Sequence, residues 1–276
     1  MATFGERLRA SMDAHGALCV GIDPHPQLLQ QWDLTVDADG LARFTEICVE
    51  AFAGRVGAVK PQSAFFEEYG SAGIAVLENT IRAFRDAGTP LILDVKRGDI
   101  GSTMAGYARA YLADGAPLAS DAITASPYLG FGSLTPALDQ ARESGRGLFV
   151  LALTSNPEGF EVQHAVRGDR SVAAGVVAGV TEANVEASAR GILGSIGLVV
   201  GATVGTAVQD LGIDLAAANA PILAPGFGAQ GAGPEDARRV FGAAIPNVLA
   251  SSSREVLGVG PRVADLRGAA DSARLH

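Results

Sequence analysis

The sequence predicts a (β/α)8 TIM barrel with an extra N-terminal helix, formed by residues 1–276 as one domain. Three observations predict it. Eight short aliphatic runs recur along the chain, helix-like stretches separate them, and polar residues gather at the C-terminal ends of the runs. A continuous apolar run marks a strand covered on both faces, as in a parallel sheet. Eight such units in about 250 residues favour a closed barrel over an open doubly wound sheet.

The elements follow in order. Residues 3–14 read as the extra helix that caps the barrel. Strand one is "ALCVGID" (17–23), and Leu41–Ala53 is helical. Strand two is "VGAVKP" (56–61), with Gly73–Asp86 helical after it. Strand three, "PLILDVK" (90–96), runs into "RGDIGS", and Thr103–Leu112 is helical. Strands four and five are "AITASPY" (122–128) and "GLFVLAL" (147–153). Residues 154–195 read as an inserted loop plus an extended helix. Strands six, seven and eight are "IGLVVGA" (196–202), "PILAPGF" (221–227) and "NVLASSS" (247–253), with Pro234–Phe241 helical between the last two.

Composition excludes several function classes. A net charge of -9 and a pI near 4.9 oppose binding to nucleic acid or an acidic membrane. Cys19 and Cys48 lack metal or redox spacing, so a reduced, cytoplasmic setting is expected. Residues 1–10 are charged and lack an apolar h-region, so no secretory signal is read there. The uncharged stretch 191–209 is long enough to cross a bilayer. Its five glycines and three hydroxyls fit a buried strand leading into a helix instead.

The chain holds 19 arginines but only two lysines, Lys60 and Lys96. A lysine ammonium is a compact charge that burial and neighbours can tune for proton transfer, whereas a guanidinium stays protonated. In a barrel the site lies at the C-terminal strand ends. Asp23 ends strand one, Lys60 strand two, and Asp94 and Lys96 strand three. Ser126 lies at the end of strand four, and Ser251 to Arg254 close strand eight. Four charges from three consecutive strands thus converge on one rim, which a solvated turn at "DVKRGD" does not predict.

After strand seven, Gly226, Gly228 and Gly231 spell G-x-G-x-x-G, but no ribose-binding acid follows about 20 residues on. In a barrel this loop suits phosphate instead, bound by glycine amides and a helix N-terminus. Gln230 adds an amide donor and Arg254 a guanidinium. A phosphorylated small molecule is the expected substrate. No metal site is legible in the four scattered histidines, and cationic side chains interleaved with Asp94 and Asp99 compete with Mg²⁺.

"DVKRGDIGST" (94–103) resembles the D-x-K-x-x-D-I-x-x-T signature of the orotidine 5′-phosphate decarboxylase family. "GIDPHP", "AVKPQSAFFE", "APGFGAQG" and "SSSRE" fall in that family's order, and "TASPYLG" and "TSNPEGF" resemble its longer bacterial branch. The D-x-K-x-x-D core is shared with metal-dependent sugar-phosphate decarboxylases and aldolases of the same superfamily, which place an acid where Lys60 stands.

The resemblance implies cofactor-independent decarboxylation of orotidine 5′-phosphate to UMP. It implies that Lys96 protonates the C6 carbanion and that Asp94 faces the substrate carboxylate while holding Lys96. Asp23 and Lys60 are implied to bind the ribose. Asp99, Ile100 and Thr103 are implied to reach the neighbouring subunit's site, so a homodimer with shared sites is expected. Ser126 is implied to bind the pyrimidine, and Gln230 and Arg254 the phosphate.

Overall fold

A computed structural model describes residues 2–227 and 231–274. Ten strands appear in order: β1 (Leu18–Ile22), β2 (Ala58–Pro61), β3 (Ile92–Arg97), β4 (Ala122–Ala125), β5 (Gly147–Leu153), β6 (Val166–Arg167), β7 (Arg170–Ser171), β8 (Ile196–Val200), β9 (Ile222–Pro225) and β10 (Val248–Ser252). Eight of them form one parallel sheet in the order β2-β1-β10-β9-β8-β5-β4-β3. Its two end strands meet through isolated parallel bridges, Val59 to Leu91 and Gln62 to Asp94, which bring the barrel round on itself. The eight-stranded barrel expected from the sequence is therefore present, and each barrel strand falls within a run assigned to it except β3, which ends one residue beyond its run, at Arg97.

Helices pack outside the sheet because their apolar residues repeat at helical spacing. In Ala38–Phe52, Leu41, Phe44, Cys48, Ala51 and Phe52 are buried, and Asp37 caps the first turn by accepting from the Gly40 amide at 2.9 Å. The helices Ala38–Phe52, Gly70–Asp86 and Gly101–Leu112 each begin two or three residues before their apolar period does. Their first turns carry small or acidic residues that add nothing to that period.

The N-terminal helix, Phe4–His15, plugs the base of the barrel. Thr3 and Glu6 form a capping box: the Thr3 amide donates to Glu6 Oε2 at 2.8 Å and the Glu6 amide to Thr3 Oγ1 at 3.3 Å. Phe4, Leu8 and Met12, four residues apart, share a buried cluster with one inward residue from every barrel strand: Cys19, Ala58, Ile92, Ala122, Phe149, Val199, Leu223 and Leu249. The Phe4 ring meets Phe149 edge-on, with centroids 5.9 Å apart. The floor is thus closed and apolar, which leaves the opposite end for chemistry.

Residues 154–195 form a short helix Gly159–Gln163, the β6–β7 hairpin and the helices Val172–Ala183 and Val185–Ala189. A loop and helix are there as expected. The hairpin was not legible, because two-residue strands are too short to show alternation. The stretch 191–209 holds β8 and runs into the helix Ala207–Asp210. Among the described residues no helix is long and apolar enough to cross a membrane.

Candidate active site

A cavity of about 840 Å³ opens at the C-terminal end of the barrel. On its floor Asp94 is 7 % exposed and Lys60 equally so. Lys60 Nζ donates to Asp94 Oδ2 at 2.9 Å and Lys96 Nζ donates to Asp94 Oδ1 at 2.7 Å. Asp23 Oδ1 lies 3.8 Å from Lys60 Nζ. Acid and base alternate, Asp23–Lys60–Asp94–Lys96, so four buried or half-buried charges sum to zero.

Local backbone aims these groups. The pairing of β3 with β4 runs Ile92 to Ala122 and Leu93 to Ile123, then shifts register before Arg97 pairs with Ala125. Asp94 and Lys96 sit in that bulge, and bulges re-aim side chains beside active sites. Lys96 takes a left-handed backbone, φ 45°, which a non-glycine residue adopts only when its surroundings compel it. Its amide donates to Thr124 Oγ1 at 2.9 Å, and the same hydroxyl donates to Asp94 Oδ1 at 2.7 Å. Gly98 follows, where a Cβ would collide with the carbonyl oxygen of Ser126.

Electrostatics follow from this packing. Burial alone raises the Asp94 carboxyl, but Lys60 and Lys96 outweigh it and hold the group down at about 2. Burial alone lowers the Lys60 ammonium, but Asp23 and Asp94 reverse that and hold it above its ordinary value. The two groups are therefore fixed as ions across the neutral range. Lys96 differs: its side chain is 47 % exposed and its ammonium faces the cavity. Of the two lysines, it is the one whose ammonium is open to a ligand.

Asp23 has one satisfied oxygen and one unsatisfied one. Ser253 Oγ donates to Oδ2 at 2.5 Å, whereas buried Oδ1 accepts no hydrogen bond. An acceptor in that state suits a ligand hydroxyl. Gly21 makes the contact possible, since a Cβ there would collide with Ser253 Oγ.

Ser126 and Arg254 also line the cavity, Arg254 at the start of the short helix Arg254–Leu257 that follows β10. Gln230 lies outside the described residues. Asp99, Ile100 and Thr103 do not line the cavity of their own chain. Asp99 accepts from the Ile100 amide at 2.8 Å, while Ile100 is 62 % exposed and Thr103 lies on the surface. The structure therefore brings six of the ten expected site residues to one cavity and leaves three outside it.

Sequence reasoning missed Thr124 and Gln62 and gave Ser253, placed at the rim within Ser251 to Arg254, no role of its own; all three line the cavity. Thr124 was findable by strand parity, two residues beyond the inward Ala122 on β4. The insertion supplies one wall through Thr154, Asn156 and Gln163. Gln163 fixes that wall by accepting from the Thr154 amide at 2.9 Å and donating to its hydroxyl at 2.6 Å. Among the described residues no cluster of three or more His, Cys, Asp or Glu side chains could hold a metal ion.

The chain is similar to known proteins along nearly its whole length. A Streptomyces coelicolor orotidine 5′-phosphate decarboxylase is 60% identical over 98% of this chain and 95% of its own. The corresponding protein of Salinispora arenicola is 57% identical over the same shares. The crystal structure of a Streptomyces avermitilis protein assigned as an orotidine 5′-phosphate decarboxylase superposes with a TM-score of 0.94 at 56% identity, covering 99% of this chain and 94% of that one. Residues 16–269 match the model of the orotidine 5′-phosphate decarboxylase / HUMPS family, and the chain belongs to that family.

Proposed function

We infer that this chain decarboxylates orotidine 5′-phosphate to UMP in pyrimidine biosynthesis, without a cofactor. The observation that carries the reading is the Asp94 carboxylate bonded to two ammonium groups, one buried and one facing the cavity. The relatives named above support it.

The chemistry uses these groups as follows. When CO₂ leaves, the electrons of the broken bond remain on C6 of the pyrimidine. Fixed positive charge at that position lowers the barrier, because it is already oriented and needs no solvent to rearrange. Lys96 supplies the charge and then its proton, which solvent replaces. Asp94 holds Lys96 and faces the departing carboxylate. Lys60, fixed as a cation, and Asp23, with its free buried oxygen, bind the ribose hydroxyls. Ser126 binds the pyrimidine. Arg254 and Gln230 hold the phosphate, whose binding energy orients the ring.

The exposed Ile100 and Thr103, with the half-buried Asp99 beside them, lie outside their own chain's cavity and support a homodimer in which each chain completes its partner's site. Residues 1–276 are read as one catalytic domain, and the two reduced buried cysteines suit a cytoplasmic enzyme. The same barrel also hosts metal-dependent sugar-phosphate decarboxylases and aldolases. Assay after exhaustive EDTA treatment separates them: full turnover of orotidine 5′-phosphate is expected, and loss of turnover restored by Mg²⁺ would overturn the cofactor-independent reading.

A further inference from the structure

The barrel has one weak seam, and the charged network straddles it. Every other neighbouring pair of barrel strands shares consecutive partners, whereas β2 and β3 touch only through isolated bridges. Lys60 stands on one side of this seam, and Asp94 and Lys96 on the other. Something besides the ladder must hold the two strand ends in register.

Arg97 is placed to do so. Its main chain belongs to β3, and its carbonyl accepts from the Ser126 amide at 2.9 Å. Its side chain turns back across the seam, where Nη2 donates to Glu67 Oε1 at 2.8 Å. The same Glu67 oxygen accepts from Ser63 Oγ at 2.6 Å, and the Ser63 amide donates to the Asp94 carbonyl at 3.2 Å. The guanidinium also lies 5.5 Å from the Tyr107 ring centroid and 5.9 Å from that of Tyr111. One side chain thus joins the end of β3, the helix Ala64–Glu67 after β2, and the helix Gly101–Leu112. A planar fork that both stacks and bonds does what a lysine cannot.

We propose that Arg97 is a positioning residue: with Glu67 it staples β2 to β3 and thereby fixes Lys96, in its left-handed backbone, against Asp94 and Lys60. This rests on the decarboxylase reading for its kinetic consequences but not for its structural ones.

Two measurements on the whole 276-residue chain test it. With orotidine 5′-phosphate, Arg97→Ala and Arg97→Lys should each lower kcat about tenfold or more and shift KM less than about threefold, because charge placement is lost while the binding groups remain. The half-exposed Glu67→Gln should do the same more weakly. The double variant Arg97→Ala/Glu67→Gln should be no worse than Arg97→Ala alone. Hydrogen exchange, read without substrate, should be about tenfold faster at residues 62–63 and 94–98 in Arg97→Ala and unchanged at the Phe4–His15 plug. Unchanged exchange at 62–63 and 94–98 would overturn the staple whether or not the wild type turns over this substrate. With an active wild type, kcat within twofold, or additive losses in the double variant, would overturn the positioning role.

Discussion

Lys60 and Lys96 are the only lysines of the chain, and the structure gives them different surroundings. Lys60 is buried between Asp23 and Asp94, whereas Lys96 touches Asp94 and otherwise faces the cavity. Residue type and strand position alone placed Asp23, Lys60, Asp94 and Lys96 together, because a parallel barrel sends consecutive strand ends to one rim. The same reasoning did not single out the Thr124 hydroxyl and gave Ser253, within Ser251 to Arg254, no role of its own, since serine and threonine are ordinary at strand ends. Nor could it foresee the bulge and left-handed backbone at Lys96, which depend on how β3 meets β4.

Asp94 is held at about 2, below its ordinary 3.8, so its ionised form stabilises the folded chain. That contribution is complete above about pH 4 and is lost as pH falls through about 2. Thermal unfolding from pH 6 to 2 should therefore show an acid destabilisation that is reduced in Asp94→Asn. An equally steep decline in the variant would contradict the ion pairing. Arg254→Ala removes the guanidinium proposed to hold the phosphate and should lower kcat/KM by roughly ten- to a hundredfold, mainly through KM. Steady-state kinetics with varied substrate checks this, and an unchanged KM would place the phosphate elsewhere.

At the scale of elements, long apolar runs identified all eight barrel strands, and the period of Phe4, Leu8 and Met12 marks the helix that closes the floor. The β6–β7 hairpin was not visible because its two-residue strands are too short to alternate, and the seam between β2 and β3 was not visible because it follows from contacts between segments distant in sequence. The plug is the element whose role is easiest to test. Phe4 is fully buried against Phe149, so Phe4→Ala opens a cavity and should cost about 3–5 kcal/mol. Urea unfolding should show that loss, while kcat of the folded variant changes little, since the plug lies at the end opposite the charged network. A stability change below about 1 kcal/mol would show that the helix does not seal the core.

At the scale of the molecule, a closed floor and an open, charged mouth divide the barrel into a stable end and a reactive end. Asp99, Ile100 and Thr103 leave the mouth of their own chain, which is why a second copy is proposed to use them. If so, inactive Lys96→Ala and inactive Asp99→Ala subunits should regain activity when they exchange. Half of randomly mixed dimers are heterodimers with one intact site of two, so recovery approaches about a quarter of wild type. Demonstrated exchange with no recovery would place Asp99 and Lys96 in the same chain's site.

The central claim is that the ammonium of Lys96, held by Asp94, turns orotidine 5′-phosphate into UMP. The direct measurement follows the ultraviolet absorbance of orotidine 5′-phosphate with purified wild type and Lys96→Ala side by side, with UMP quantified at the end and UMP binding measured for both proteins. Wild type should convert substrate to an equal amount of UMP. Lys96→Ala should fold and bind UMP yet lose roughly 10²- to 10⁴-fold in turnover, the range expected for a positioned proton donor. A wild type that leaves the substrate intact, or a Lys96→Ala variant within about tenfold of it, about 1.4 kcal/mol of barrier, would contradict the claim.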